Sequence, residues 1–127
     1  MKAVLQRVKR ACITTDGKIV GKIGCGLVVL LCIEQGDTSK TAAIFAGKAA
    51  RMRIFSDDDG KFNLSLLDVG GEALVISQFT LAGNWRKGNR PSFSSAAPPH
   101  IADPLYAEYC EVLVSLGVSV ETGKFAA

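Results

Sequence analysis

The sequence is poor in the residues that carry most side-chain catalysis. It has one histidine and one tryptophan, and none of its four cysteines (Cys12, Cys25, Cys32 and Cys110) stands in a C-x-x-C pair. With one histidine and no paired cysteines, no zinc site is expected. G-x-S-x-G, P-loop and G-x-G-x-x-G motifs are all missing, so nucleophile-elbow hydrolysis and nucleotide-binding chemistry of those kinds are not predicted. The longest unbroken apolar run, Leu27 to Ile33, is too short to span a bilayer. A net charge of +3 is too small to argue for nucleic-acid binding by itself, so any such reading must rest on where the cations sit. Unpaired cysteines and the lack of a signal peptide point to the cytoplasm.

What is present suits a globular domain. The 127 residues are 48% hydrophobic and 21% charged. Disorder is therefore not expected, and a chain this long can bury about two thirds of its unfolded surface. The pattern predicts an α+β single domain over residues 1–127, with a mostly antiparallel, barrel-like β core in which mixed pairing is possible. "KAVLQRVKRACITT" alternates, with Ala3, Leu5 and Arg7 on one face. "TDGK" carries an Asp-Gly hairpin signal before "IVGKI". "GLVVLLCIE" reads as a central strand buried on both faces, and "EALVISQFTLA" as another core strand.

Two helices are predicted, over residues 38–52 and 104–116. The first has N-cap candidates in Asp37, Thr38 and Ser39, and an apolar stripe of Ala42, Phe45, Ala46, Ala49 and Ala50. The second has Asp103 and Pro104 as its start signal, with Gly117 placed to end it. Asp57 to Gly60 read as the turn of a hairpin rather than as metal ligands.

The stretch "VISQFTLAGNWRKGNRPSF" is the best stocked for function. Ser77, Gln78 and Thr80 can donate and accept hydrogen bonds at the end of a buried strand. Main-chain N–H groups there could hold a carbonyl oxygen. The competing reading is a polar strand face of ordinary β composition. The loop that follows carries Arg86, Lys87 and Arg90 with Trp85 and Phe93, a combination suited to phosphates and bases, or to a solvated turn. Lys2, Lys9 and Arg10 add positive charge. His100, after two prolines, reads as a surface histidine rather than a triad base.

Together "LQRV", "GCGLVVLLCIE", "RIFSDDDGKFNLS", "VISQFTLA", "GNRPSF" and "TGKFAA" make the chain resemble the D-aminoacyl-tRNA deacylases over essentially its whole length. The resemblance implies hydrolysis of the ester between a D-amino acid, or mischarged glycine, and the acceptor end of tRNA. It implies no cofactor, no metal, no membrane or DNA partner, and a cytoplasmic homodimer with active sites at its interface. It puts Ser77, Gln78, Phe79 and Thr80 in the catalytic strand, with the Phe79 main-chain N–H toward the substrate carbonyl and the substrate 2′-hydroxyl assisting water. Gln6 and Arg7 are expected on one pocket wall, and Gly123, Phe125 and Ala126 on the other. Arg86, Lys87 and Arg90 are candidates for tRNA contact. The family's C-terminal Gly-Pro strand is expected to be absent, since no proline here follows a glycine. The alternative is a non-catalytic RNA-binding module or an inactive shortened form.

Overall fold

A computed structural model describes residues 1–83 and 95–123. Its centre is β4, Gly26–Cys32, where the run of apolar side chains leaves no polar face. Leu27, Val29 and Leu31 are fully buried. Such a strand needs cover on both sides. β1 (Lys2–Val8) pairs with it antiparallel on one edge. β7 (Glu72–Ser77) pairs with it parallel on the other, and β8 (Ser119–Thr122) extends the sheet parallel to β7. The order is β1-β4-β7-β8. The sheet therefore holds more parallel pairing than a mostly antiparallel core would. The cause is the crossover through α1 between β4 and β7, because a parallel partner needs a long connection.

One face of this sheet carries the helices. α1, Ser39–Arg51, is capped by Thr38, whose hydroxyl accepts from the Thr41 N–H. It buries Ala42, Ala46, Ala49 and Ala50, with Phe45 half-buried against the same core. These small side chains let α1 and α3 pack closely over Leu27, Val29, Ala73 and Val75. The other face is covered over part of its width by the hairpin of β2 (Ala11–Thr15) and β3 (Lys18–Ile23). Asp16 and Gly17 form its turn at positive φ, as the Asp-Gly signal predicts. The hairpin fits because Gly21 lacks a side chain: a Cβ there would stand 3.0 Å from the Thr122 carbonyl oxygen.

Two further elements differ from the sequence reading. α3 spans Pro99–Ser115, not 104–116. The earlier pair Pro98–Pro99 supplies the same N1-proline signal as Asp103–Pro104, and N–H groups of Ile101 and Ala102 close the first turn on the Pro98 carbonyl. Pro104 is accommodated inside the helix. A third helix, α2 (Leu66–Val69), follows the β5 (Phe55–Ser56) and β6 (Phe62–Leu64) hairpin. Ser65 and Asp68 cap it reciprocally. In the hairpin turn one Asp57 carboxylate oxygen accepts the N–H groups of Asp59 at 2.9 Å and Lys61 at 3.0 Å.

Candidate functional site

Parallel pairing brings the carboxyl ends of β4, β7 and β8 to one edge of the molecule, where the chain can leave the sheet and form a site. β7 ends at Ser77. The strand expected to continue through Thr80 stops there, because the chain turns into a short 3₁₀ helix, Phe79–Ala82. The Gln78 N–H still donates to the Leu31 carbonyl at 2.8 Å, so the departure from the sheet is fixed at Gln78. Alternation places Ser77 on the helix side with Ala73 and Val75. Ser77, Phe79 and Thr80 are exposed, Phe79 by 60%.

This corner is tied from several directions. Gln78 donates from its side-chain amide to the Thr80 hydroxyl. Lys2 Nζ donates to the Leu81 carbonyl at 3.2 Å, and Ser95 Oγ to the Ala82 carbonyl at 3.1 Å. Cys32 Sγ lies 3.8 Å from the carbonyl oxygens of Ile33 and Phe79. Burial, with Glu34 nearby, pushes the Cys32 thiol above its ordinary value, so it stays a neutral thiol. Tyr106, buried on α3, donates its hydroxyl to the Val75 carbonyl just before the site. Desolvation raises its pKa, so it remains a donor. Of these supports, the sequence reading gave Gln78 as a site residue, Lys2 as surface charge and Cys32 within a buried strand. It did not single out Tyr106, whose bond to Val75 spans 31 residues of sequence.

A second set of ties lies alongside. The Met1 amino group contacts Glu34 at 3.0 Å and Asp37 at 2.9 Å. Desolvation lowers its pKa, but the hydrogen bonds and charges of the two carboxylates outweigh that, and the net shift is upward. The Gln35 N–H donates to the Ser95 carbonyl at 2.8 Å, and the Ala97 N–H to the Ile33 carbonyl at 2.9 Å.

No general base serves Ser77 or Thr80 among the described residues. The partner of the Thr80 hydroxyl is an amide, which does not take up a proton near neutral pH. His100 is exposed in the first turn of α3 and makes no hydrogen bond within the described residues. What the described residues of this corner offer is positioning and polar stabilisation of a carbonyl.

Register decides which other candidates join this corner. Ala3, Leu31 and Ser77 lie in one row across the sheet. Gly123 follows Thr122, which pairs with Val75, so it reaches the same edge. A Cβ on it would stand 2.8 Å from Ile13 Cδ1, the end of a side chain that can shift. Arg7 instead lies in the row of Leu27 and Ala73. That is about 13 Å along the strands and about 9.5 Å across them from Ser77. Gln6 sits in the neighbouring row with Val28 and Leu74. Within one chain, then, Gln6 and Arg7 stand apart from Ser77–Thr80. Arg7 packs its guanidinium over Phe62, 4.6 Å from the ring centroid, beside a groove formed by Arg7, Val8, Lys9, Cys25 and Phe55. Phe125 and Ala126 lie outside the described residues, as do Arg86, Lys87 and Arg90 with Trp85 and Phe93.

The comparisons with known proteins agree with one another. Residues 4–127 match the family model described as D-Tyr-tRNA(Tyr) deacylase. A protein of Roseiflexus castenholzii named "D-aminoacyl-tRNA deacylase" is 54% identical over the whole chain, which covers 81% of that protein. One of the same name from Desulfatibacillum aliphaticivorans is 56% identical, with 87% covered. A solved structure titled "c-Myc DNA Unwinding Element Binding Protein" superposes with a TM-score of 0.92 at 39% identity, covering 100% of this chain and 87% of that one. Another, of a probable eukaryotic D-amino acid tRNA deacylase, has a TM-score of 0.77 at 18% identity, covering 98% of this chain and 88% of that one, and shares the fold. Family model, curated relatives and shared fold together place the chain in the D-Tyr-tRNA(Tyr) deacylase family of hydrolases.

Proposed function

We propose that this chain hydrolyses the ester of D-aminoacyl-tRNA, and of glycine mischarged on tRNA, as a proofreading step in translation in the cytoplasm. The observation that carries this reading is the exposed corner Ser77–Thr80, which has hydrogen-bonding groups and, among the described residues, no activating base. Water attacks the ester carbonyl carbon, the bond to the ribose oxygen breaks, and that oxygen takes up the proton. Free amino acid and tRNA are released. The substrate 2′-hydroxyl assists the attack, and the Phe79 main-chain N–H supports the developing oxyanion. An aminoacyl ester is already reactive, so one such donor, worth on the order of 3 kcal/mol, and good positioning go far.

The acting form is a homodimer with sites at its interface. Support comes from the sheet face that the hairpin leaves open. Val4, Leu30 and Ile76 form one apolar row there, and Val4 is 47% exposed. An apolar sheet face of this kind marks an interaction surface. A second copy would also offer Gln6 and Arg7 a way to a site that they do not reach in their own chain. No helix among the described residues is long and apolar enough to cross a membrane.

The test is release of D-tyrosine from D-tyrosyl-tRNA, with L-tyrosyl-tRNA and glycyl-tRNA alongside. Hydrolysis of the D-ester supports the reading, and none by a folded protein refutes it. Chiral selection is a separate question, and the L-ester answers it. Light scattering of the wild type and Val4→Asp tests the dimer. A dimer that the substitution splits supports it, and a wild-type monomer overturns it.

A further inference from the structure

The outer face of α1 is unlike an ordinary solvated helix face. It lines an open groove of about 490 Å³ with Lys40, Ala43, Ile44, Gly47, Lys48 and Arg51. Three of these six are cations and none is an acid. Among the described residues none of the three forms an ion pair.

Two features are poorly explained by helix stability. Lys40 occupies the second helical position, where the positive end of the dipole disfavours a cation, and the first turn holds no acid. Gly47 lies in mid-helix, where glycine is a poor helix former. The Arg51 side chain lies over it: a Cβ on Gly47 would stand 2.8 Å from Arg51 Nη1, the end of a flexible side chain that can give way. Glycine therefore gives the guanidinium a seat against the helix, one turn back from its own Cα. Lys48 and Arg51 alone would be accounted for by the negative end of the dipole; Lys40 and the Gly47 seat would not.

We propose that this face of α1 is a docking track for the phosphodiester backbone of RNA, namely the body of the tRNA whose acceptor end enters the site. The inference rests on the deacylase reading for the identity of the RNA. α1 begins just after Glu34 and Asp37, which are tied to the same edge of the sheet as Ser77. From Lys40 to Arg51 the track runs about 16 Å away from that edge. Lysine supplies point charge and arginine a planar fork, and both are suited to phosphate oxygens. Contacts of these cations to phosphate oxygens add affinity for tRNA without sequence preference.

The experiment compares the wild type with Lys40→Gln/Lys48→Gln/Arg51→Gln and with Gly47→Ala. Binding of uncharged tRNA is titrated across salt, and hydrolysis is measured on D-tyrosyl-tRNA and on the D-tyrosyl ester of adenosine. For the triple variant the slope of log affinity against log salt should become shallower by about 2 to 3. kcat/KM on the tRNA substrate should fall, with the adenosine ester unaffected and the far-ultraviolet spectrum unchanged. Gly47→Ala, which only shifts the flexible Arg51 side chain, should stay near the wild type, and Lys40→Arg/Lys48→Arg, which keeps the charge, should leave the salt slope unchanged. An unchanged salt slope in the triple variant overturns the track. So does unchanged tRNA binding combined with lost binding of a poly-glutamate peptide, which would make the groove a protein contact. A wild type that hydrolyses neither ester while the salt slopes still differ would refute the deacylase reading and leave the track standing.

Discussion

The guanidinium of Arg7 lies 4.6 Å from the centroid of the Phe62 ring, at the end of the sheet away from Ser77. Both residues are exposed, so the contact is worth roughly 0.5–1 kcal/mol. Arg7→Ala should lower stability by about that much in a urea titration, and Arg7→Lys by less. If Arg7 reaches a site only through a second copy, Arg7→Ala should also reduce kcat/KM in a protein that remains dimeric. An undiminished kcat/KM would assign Arg7 to its contact with Phe62 alone.

Thr80→Ala separates two mechanisms. The Thr80 hydroxyl is partnered by the Gln78 amide and not by a base. We expect the variant to keep most of its activity, within about tenfold of wild type, because in the proposed mechanism no bond to Thr80 forms. Single-turnover hydrolysis of D-tyrosyl-tRNA measures this. A loss of several orders of magnitude in a folded protein that binds tRNA normally would make Thr80 the nucleophile.

Much of this arrangement was legible in the sequence, and for specific reasons. The Asp-Gly turn, the β4 run and the Ala-rich stripe of α1 are local patterns whose physics needs no tertiary partner. The end of β7 was not legible. Ser77, Gln78 and Thr80 alternate as well as strand residues do, and only the Gln78–Leu31 hydrogen bond shows where the strand lets go. The start of α3 was misplaced because Pro99 and Pro104 carry equal signals. The separation of Arg7 from Ser77 depends on register, which a single sequence does not encode locally. The Ser77–Thr80 group itself stood out because other catalytic residues were scarce.

Gly26 shows how firmly that register is held. A Cβ on Gly26 would fall 1.8 Å from the Glu72 carbonyl oxygen, a backbone atom that cannot swing aside. Gly26→Ala should therefore cost at least about 3 kcal/mol, since β4 and β7 would have to separate. Thermal unfolding would show this as a large drop in Tm. A near-wild-type midpoint would mean that the two strands are joined less tightly at that end.

The capping box of α2 gives a pH dependence. The Ser65 main-chain N–H, then its hydroxyl, and to a lesser degree Arg53 hold the Asp68 carboxyl below its ordinary value. A depressed carboxylate stabilises the fold above its unfolded pKa of 3.8, and the contribution is lost as pH falls through the folded value. Between pH 6 and pH 4 wild type should be nearly flat in this respect. Below that its urea midpoint should fall more steeply than that of Asp68→Asn. Parallel curves would remove Asp68 from the acid response.

The link between Ser95 and Ala82 has an evolutionary consequence. Ser95 donates from its side chain to the Ala82 carbonyl and accepts from the Gln35 main-chain N–H, so it joins the end of the 3₁₀ helix to the segment that follows β4. Selection that keeps Ser77 to Thr80 in place therefore acts on Ser95 as well.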